Sequence, residues 1–324
     1  MNDKSIIGKL LESTEPAIQL KIYLRLLDFE YDSPEVKKLI SNIKEKSPII
    51  SNLFAYLPKS EAETIFHVYT KFQGDHWILS ILADIGYPAG DKMLQPSINL
   101  VLKWLLGAKK RLIIKGRRRF CASQEGNGLY SALLLGFYDA RCDTLCERLI
   151  KYQWADGGWN CDRNPTAINS SYHESLIPMR ALNYYQKEKP SSQVKNALEK
   201  AGELFLKRKL FRRLSDGEIV KANWLLLRYP SYWHYDILTA MKVLAEAKKI
   251  NDKRCNEALD LLESKRLADG GFPKEYKYCQ SSNPENRYFN PADWKSVNKK
   301  KMNEWVTIDA LYVLKEAKRI DIEY

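Results

Sequence analysis

The segment Gln153-Trp154-Ala155-Asp156-Gly157-Gly158-Trp159 returns later in the chain as Arg266-Leu267-Ala268-Asp269-Gly270-Gly271-Phe272, with a weaker copy, Leu214-Ser215-Asp216-Gly217, between them. Each strong copy follows an amphipathic helical pattern and precedes a second helical pattern that starts with aromatic residues. A turn that recurs at long spacing marks a repeat protein, whose units bury their apolar faces only against neighbouring units.

Hydrophobic periodicity fills in the units. From Trp233 to Ala247, residues Trp233, Ile237, Ala240, Met241 and Leu244 keep one face, while Leu238 and Val243 add a second. A helix apolar on two sides is buried on two sides. The following segment carries one stripe, Cys255, Ala258, Leu259, Leu261 and Leu262, with charges elsewhere. Two-sided segments recur near 75–86, 127–139, 170–187, 232–249 and 303–319, and one-sided partners near 91–106, 140–153, 191–207 and 251–267. Ala17 to Leu27 and Val36 to Ile43 supply an earlier pair. The pattern predicts an all-α chain of about six inner and five or six outer helices. Short joints at Gly86-Tyr87-Pro88, Glu188-Lys189-Pro190 and Ile250-Asn251-Asp252 link inner to outer helices, and longer returns hold the Asp-Gly turns. Such pairs stack either as an open solenoid or as a closed α/α toroid.

The Asp-Gly-Gly-aromatic turn resembles the repeat of squalene cyclases and of protein prenyltransferase β subunits. That resemblance implies a terpenoid cyclase-like α/α toroid, an (α/α)5–6 barrel in which the turn's glutamine and aromatic tie each outer helix to the next. The whole chain, 1–324, is then one domain, with 1–58 an N-terminal helical pair packed onto or completing the toroid. Ala222-Asn223-Trp224, Tyr229-Pro230-Ser231-Tyr232-Trp233 and Trp305-Val306-Thr307 are closest to bacterial and archaeal members of this superfamily without an assigned activity. The chain lacks the Asp-x-Asp-Asp acid of proton-initiated cyclases and the Asp-Asp-x-x-Asp of metal-dependent terpene synthases. Within the prenyltransferase pattern, His173 matches the zinc-binding histidine, but Asn127 and Leu129 stand where aspartate and cysteine are expected. Leucine has no ligand atom and a neutral amide is a poor one for zinc. No metal and no cofactor is therefore expected, although His76, His173, His234 and nearby carboxylates form an alternative metal set.

The chain has no apolar stretch near the ~20 residues of a membrane span. Its six cysteines include no CxxC pair, which suits reduced thiols, and a cytoplasmic location is expected. Three of four histidines open two-sided helices: Asp75-His76-Trp77, Tyr172-His173-Glu174 and Trp233-His234-Tyr235-Asp236, with Glu304-Trp305 opening the last. These residues are either helix caps and core aromatics or the lining of one mouth. In the second case His173, His234 and Asp236 are the acid, base or electrostatic candidates. His76, Trp77, Asn127, Tyr130, Tyr172, Glu174, Trp233, Tyr235 and Trp305 would line the ligand pocket.

Basic runs fall in the returns at the same end: Lys109, Lys110, Arg111, Lys115, Arg117, Arg118 and Arg119; Lys207, Arg208, Lys209, Arg212 and Arg213; and Lys299 to Lys301. With a formal net charge of +12, they are either solvated loops or a rim that attracts anions, with Arg117 and Arg118 as ligand contacts. The leading expectation is a small apolar, isoprenoid or lipid-like ligand in a central cavity with its anionic head at the rim. The alternatives are a non-enzymatic module binding nucleic acid or another polyanion, with Phe120, Phe211 and Trp294 as stacking candidates, and attachment to an anionic membrane surface.

Overall fold

A helix that is apolar on two sides needs partners on two sides, and this demand sets the packing order. The computed structural model describes residues 3–107, 112–278, 283, 286 and 289–322 and is mostly helical. The helices are α1 (Asp3–Leu11), α2 (Pro16–Arg25), α3 (Pro34–Lys46), α4 (Pro48–Phe54), α5 (Asp75–Ile85), α6 (Gln95–Leu106) and α7 (Ala122–Leu134). They continue as α8 (Ala140–Lys151), α9 (Tyr172–Glu188), α10 (Ser192–Lys207), α11 (Ile237–Glu246), α12 (Asn256–Glu263) and α13 (Glu304–Glu316). Helix α2 lies against α5, α5 against α7, α7 against α9, α9 against α11, α11 against α13, and α13 against α2. Their partners flank them: α3 on α2, α6 on α5 and α7, α8 on α7 and α9, α10 on α9, α12 on α11, and α1 on α2. No described helix is long and apolar enough to cross a membrane.

Several boundaries differ from the periodic reading. Helix α7 starts at Ala122 rather than near 127, because Ser123, Glu125 and Gly126 are buried although none is apolar. Helix α11 starts at Ile237, since Asp236 caps it by accepting from the Thr239 N–H at 2.9 Å. Trp233, His234 and Tyr235 therefore lie in the loop before it. Two antiparallel hairpins were not anticipated: β1 (Leu112–Ile114) with β2 (Arg117–Arg119), and β3 (Pro273–Lys274) with β4 (Asn298–Met302).

The two strong turns share one bonding scheme. Gly158 O accepts from Trp154 N, and Gly157 N, at φ 99°, donates to Trp154 O. The second copy repeats both bonds between Leu267, Gly270 and Gly271. Trp159 N donates to Ser175 Oγ on α9 at 3.0 Å, and Phe272 N to Thr307 Oγ1 on α13 at 2.8 Å. Gln153 Nε2 donates to Gly157 O and to Ala197 O on α10, each at 2.8 Å, and so joins one outer helix to the next. Arg266 Nε takes over the first of these bonds, reaching Gly270 O at 3.0 Å. The weak copy is a different structure. Leu214 to Gly217 form an exposed hairpin tip closed by the Arg212–Ile219 bridge.

Two further features fix the interior. A methyl on Gly126 of α7 would stand 2.8 Å from Pro178 N, so this glycine is what lets α7 approach α9 at its internal proline. At the centre, charged side chains form a buried layer. Lys242 Nζ donates to Asp84 at 2.9 Å and Asp309 at 2.8 Å, and Lys21 Nζ lies 2.6 Å from Asp309. Arg180 grips Glu246 through two 2.8 Å bonds and also reaches Asp84 at 2.8 Å. Its guanidinium lies 4.3 Å from the Tyr130 ring centre. Six helices, α2, α5, α7, α9, α11 and α13, contribute. Arg180 thus pairs with Glu246 and Asp84, not with Glu174. Burial acts to raise the Asp84 carboxyl, but Lys242, Lys21 and Arg180 outweigh it and hold it well below the usual range.

Removing one carboxylate would strand buried cations. Asp84→Ala is expected to cost about 3–5 kcal/mol in urea unfolding. A loss below about 1 kcal/mol, the worth of an exposed pair, would show the layer to be solvent-screened. Gln153→Ala strips donors from two carbonyls and should cost about 1–3 kcal/mol. An unchanged unfolding midpoint would show that the α8–α10 tie contributes nothing.

Candidate ligand site at the helix starts

Loop 208–236 brings α10 round to α11, and its polar and aromatic groups gather where α9 and α11 begin. The short 3-10 turn at Ala222–Leu225 buries Trp224, whose ring centre lies 5.4 Å from His173 and 4.8 Å from Tyr235. Beyond it Arg228 is buried. Its Nε donates to Leu226 O at 3.2 Å, and its Nη2 donates to Asn223 O. The guanidinium lies 4.8 Å from the Tyr276 ring and 4.5 Å from the Tyr278 ring, a cation–π arrangement. Arg228 Nη1 is buried and has no hydrogen-bond partner among the described residues. A buried donor left open is costly, which marks this nitrogen as available to an acceptor.

His234 stacks on Tyr278 at 3.3 Å and on Trp233 at 3.9 Å, with Nδ1 3.3 Å from Ser231 O. Lys71 lies over Trp233 at 4.5 Å and exposed Lys221 over Trp224 at 5.8 Å. Burial, followed by Lys221 and Arg228, lowers His173 to about 4. Burial, followed by His173, lowers His234 to about 3. The two imidazoles are near enough to feel each other, and both are neutral at pH 7.

The structure links the other sequence candidates to this group unevenly. His76 packs with Trp77 at 4.7 Å, and Trp77 with Trp233 at 4.7 Å, so ring contacts run unbroken from His76 to His234. Tyr172 and Tyr235 meet at 4.9 Å, but their hydroxyls are committed to Arg212 O and Leu210 O. Asp236 is wholly buried, and both its oxygens are engaged by Thr239. Burial raises its carboxyl against the pull of Arg228, 3.9 Å away. It holds a helix start and a guanidinium in place. Asn127 is buried on α7 with Nδ2 unpartnered among the described residues, and Tyr130 sits in the ionic layer under Arg180. Glu174 turns toward α7 and accepts from Ser123 N at 2.9 Å. Trp305 lies apart, stacked on Tyr229 at 5.1 Å and lining a cavity of about 670 Å³ with Lys274, Lys295 and Lys301.

The basic runs do not all face solvent. Arg118 and Arg119 are buried, 4.1 Å from Tyr152 and 4.5 Å from Trp154 respectively, and Arg117 lies 5.5 Å from Trp154. Arg208 is buried under Ser170 O and Tyr172. Lys299 to Lys301 are exposed on β4. Lys109, Lys110, Arg111 and Cys279 lie outside the described residues. Phe211 and Trp294 are buried, so neither is a platform for a nucleic-acid base.

Arg228, Lys221 and Tyr278 escaped the sequence reading. None sits in a charge run or on a periodic helix, and only the fold of the loop brings them to His173 and His234. The chain matches no protein-family model and no curated protein.

The histidine environment has a pH signature. Folded His234 stays neutral down to about 3, whereas the unfolded side chain protonates near its ordinary 6.5. Between those values the unfolded state binds the extra proton, so stability falls as pH drops through this window. His234→Gln should flatten that acid slope in urea titrations. NMR titration of the His234 ring near 6.5 in the folded protein would place it in water instead.

Proposed function

We propose that the chain is a closed (α/α)6 toroid of the terpenoid cyclase and prenyltransferase β-subunit type. In this reading it binds an isoprenoid or lipid-like molecule with an anionic head at the end where the inner helices begin. The toroid reading is supported by the order of helix contacts, which returns from α13 to α2, and by the shared turns at Gln153 and Arg266. The ligand reading is carried by one observation: buried Arg228 Nη1, unpartnered among the described residues, belongs to a guanidinium lying over Tyr276 and Tyr278, with His234 stacked on Tyr278 and Trp233, His173 on Trp224, and Lys71 and Lys221 beside those indoles.

Guanidinium and ammonium groups suit a phosphate or carboxylate head, and ring faces suit an unsaturated chain. The ionic layer of Lys21, Asp84, Arg180, Lys242, Glu246 and Asp309 bounds the depth available, so the apolar body lies among the rings above it. That departs from a wholly apolar lumen. Neutral His173 and His234 supply hydrogen bonds to the head. No reaction is assigned, because Asp236, the nearest carboxylate, is spent on Thr239.

Titration with farnesyl diphosphate, followed by tryptophan fluorescence, should saturate at one molecule per chain. Lys221→Glu together with Lys71→Glu should weaken binding about tenfold or more, equivalent to roughly 1.4 kcal/mol. Inorganic diphosphate should bind more weakly, since it lacks the apolar body. No saturable binding, or equal affinity for a random oligonucleotide with a steep salt slope, would overturn the reading in favour of a polyanion surface.

A further inference from the structure

Where α7 and α9 begin side by side, three ligand-type side chains that the sequence reading left unconnected come together. Cys121 immediately precedes α7, Cys161 follows the Trp159 turn, and Glu174 lies in the first turn of α9. Cys161 Sγ lies 3.4 Å from Glu174 Oε1, and one ligand atom from each residue falls within 4.8 Å of the other two. We infer that Cys121, Cys161 and Glu174 form a zinc-binding site.

Bond lengths of 2.3 Å to sulfur and about 2.0–2.2 Å to oxygen place tetrahedral ligand atoms roughly 3.5–3.8 Å apart. The observed spacing needs only a small contraction to reach this. Two thiolates and a carboxylate form a borderline-soft set that selects zinc over magnesium or calcium. Three protein ligands leave the fourth position open, as in catalytic rather than structural zinc sites. The supporting contacts are in place. Ser123 N holds Glu174 Oε2, which leaves Oε1 turned to the sulfurs, and Phe120 N donates to Asn160 O at 3.4 Å, tying the two cysteine-bearing segments.

Electrostatics agree. Cys121, burial and Glu174 all push the Cys161 thiol up, and burial raises Glu174. A divalent cation would reverse that crowding, and its binding would release the thiol protons to solvent. The set is distinct from Asn127, Leu129 and His173, the positions matched to the prenyltransferase pattern.

Cobalt(II) reports thiolate ligation directly. Chelator-stripped, reduced full-length protein should bind one Co2+ per chain, with a thiolate-to-metal charge-transfer band that one equivalent of Zn2+ abolishes. Cys161→Ser, Cys121→Ser and Glu174→Gln should each weaken Co2+ by about 100-fold or more, beyond the loss that supporting residues cause. Cys255→Ser, in the turn that precedes α12, should leave the band intact. Should a serine variant lose its helical circular dichroism, alkylation of the unaltered protein decides: Zn2+ should shield Cys121 and Cys161 but not change the rate at Cys255. Absence of the band, its survival in Cys161→Ser, or unshielded thiols would overturn the proposal.

Discussion

The arrangement of the buried helices hangs on a layer of charges. Interdigitated side chains already restrict how helices meet, and hydrogen-bonded ion pairs add a directional constraint to that packing. Lys21, Asp84, Arg180, Lys242, Glu246 and Asp309 come from α2, α5, α9, α11 and α13, and each bonds across to a helix other than its own. Only α7 brings an aromatic face instead, Tyr130 under Arg180. With Arg25 joining Glu246 at 3.3 Å, four cations face three carboxylates. Burial pulls the Lys21 ammonium below its ordinary value, against the pull of Asp309 and Asp84. Breaking such a layer strands a buried charge, and that cost is distinct from the net stability the intact layer adds.

Between helices the recurrent turn performs the complementary task. Both strong copies place a hydroxyl from the next buried helix, Ser175 or Thr307, under the backbone of the turn aromatic. Glutamine and arginine at the leading position give the same bond to a glycine carbonyl. The turn tolerates that exchange because it asks only for a donor of sufficient reach. The copy at Leu214 keeps the Asp-Gly pair but has no aromatic to bury, and it folds as a surface hairpin.

Much of this was legible in the sequence, and what was not has physical causes. Two-sided and one-sided apolar patterns located α5, α6, α8, α9, α10 and α13 closely, because burial there is paid in aliphatic side chains. The start of α7 was hidden, since Ser123, Glu125 and Gly126 are buried by close approach and ion pairing rather than by hydrophobicity. Asp84, Lys242 and Asp309 read as ordinary helix polarity, because a charge satisfied by a distant helix leaves no local mark. His173 and His234 stand beside aromatics in the sequence, and the structure packs each against rings, His173 on Trp224 and His234 on Trp233 and Tyr278. Arg228 and Tyr278 left no such sign, because loops 208–236 and 266–303 carry no period, and neither do the segments before α7 and after Trp159 that hold Cys121 and Cys161.

The pairing of Lys21 with Asp309 also bears on how the molecule is made. An emerging polypeptide exposes α2 long before α13 exists, and domains ordinarily begin to fold from the N-terminus during synthesis. Here Lys21 reaches Asp84 of α5 only at 3.6 Å, while its closer partner, Asp309 at 2.6 Å, lies on α13. The tighter of its two ion pairs therefore forms only once α13 has been made, and nascent chains arrested before residue 309 would lack it.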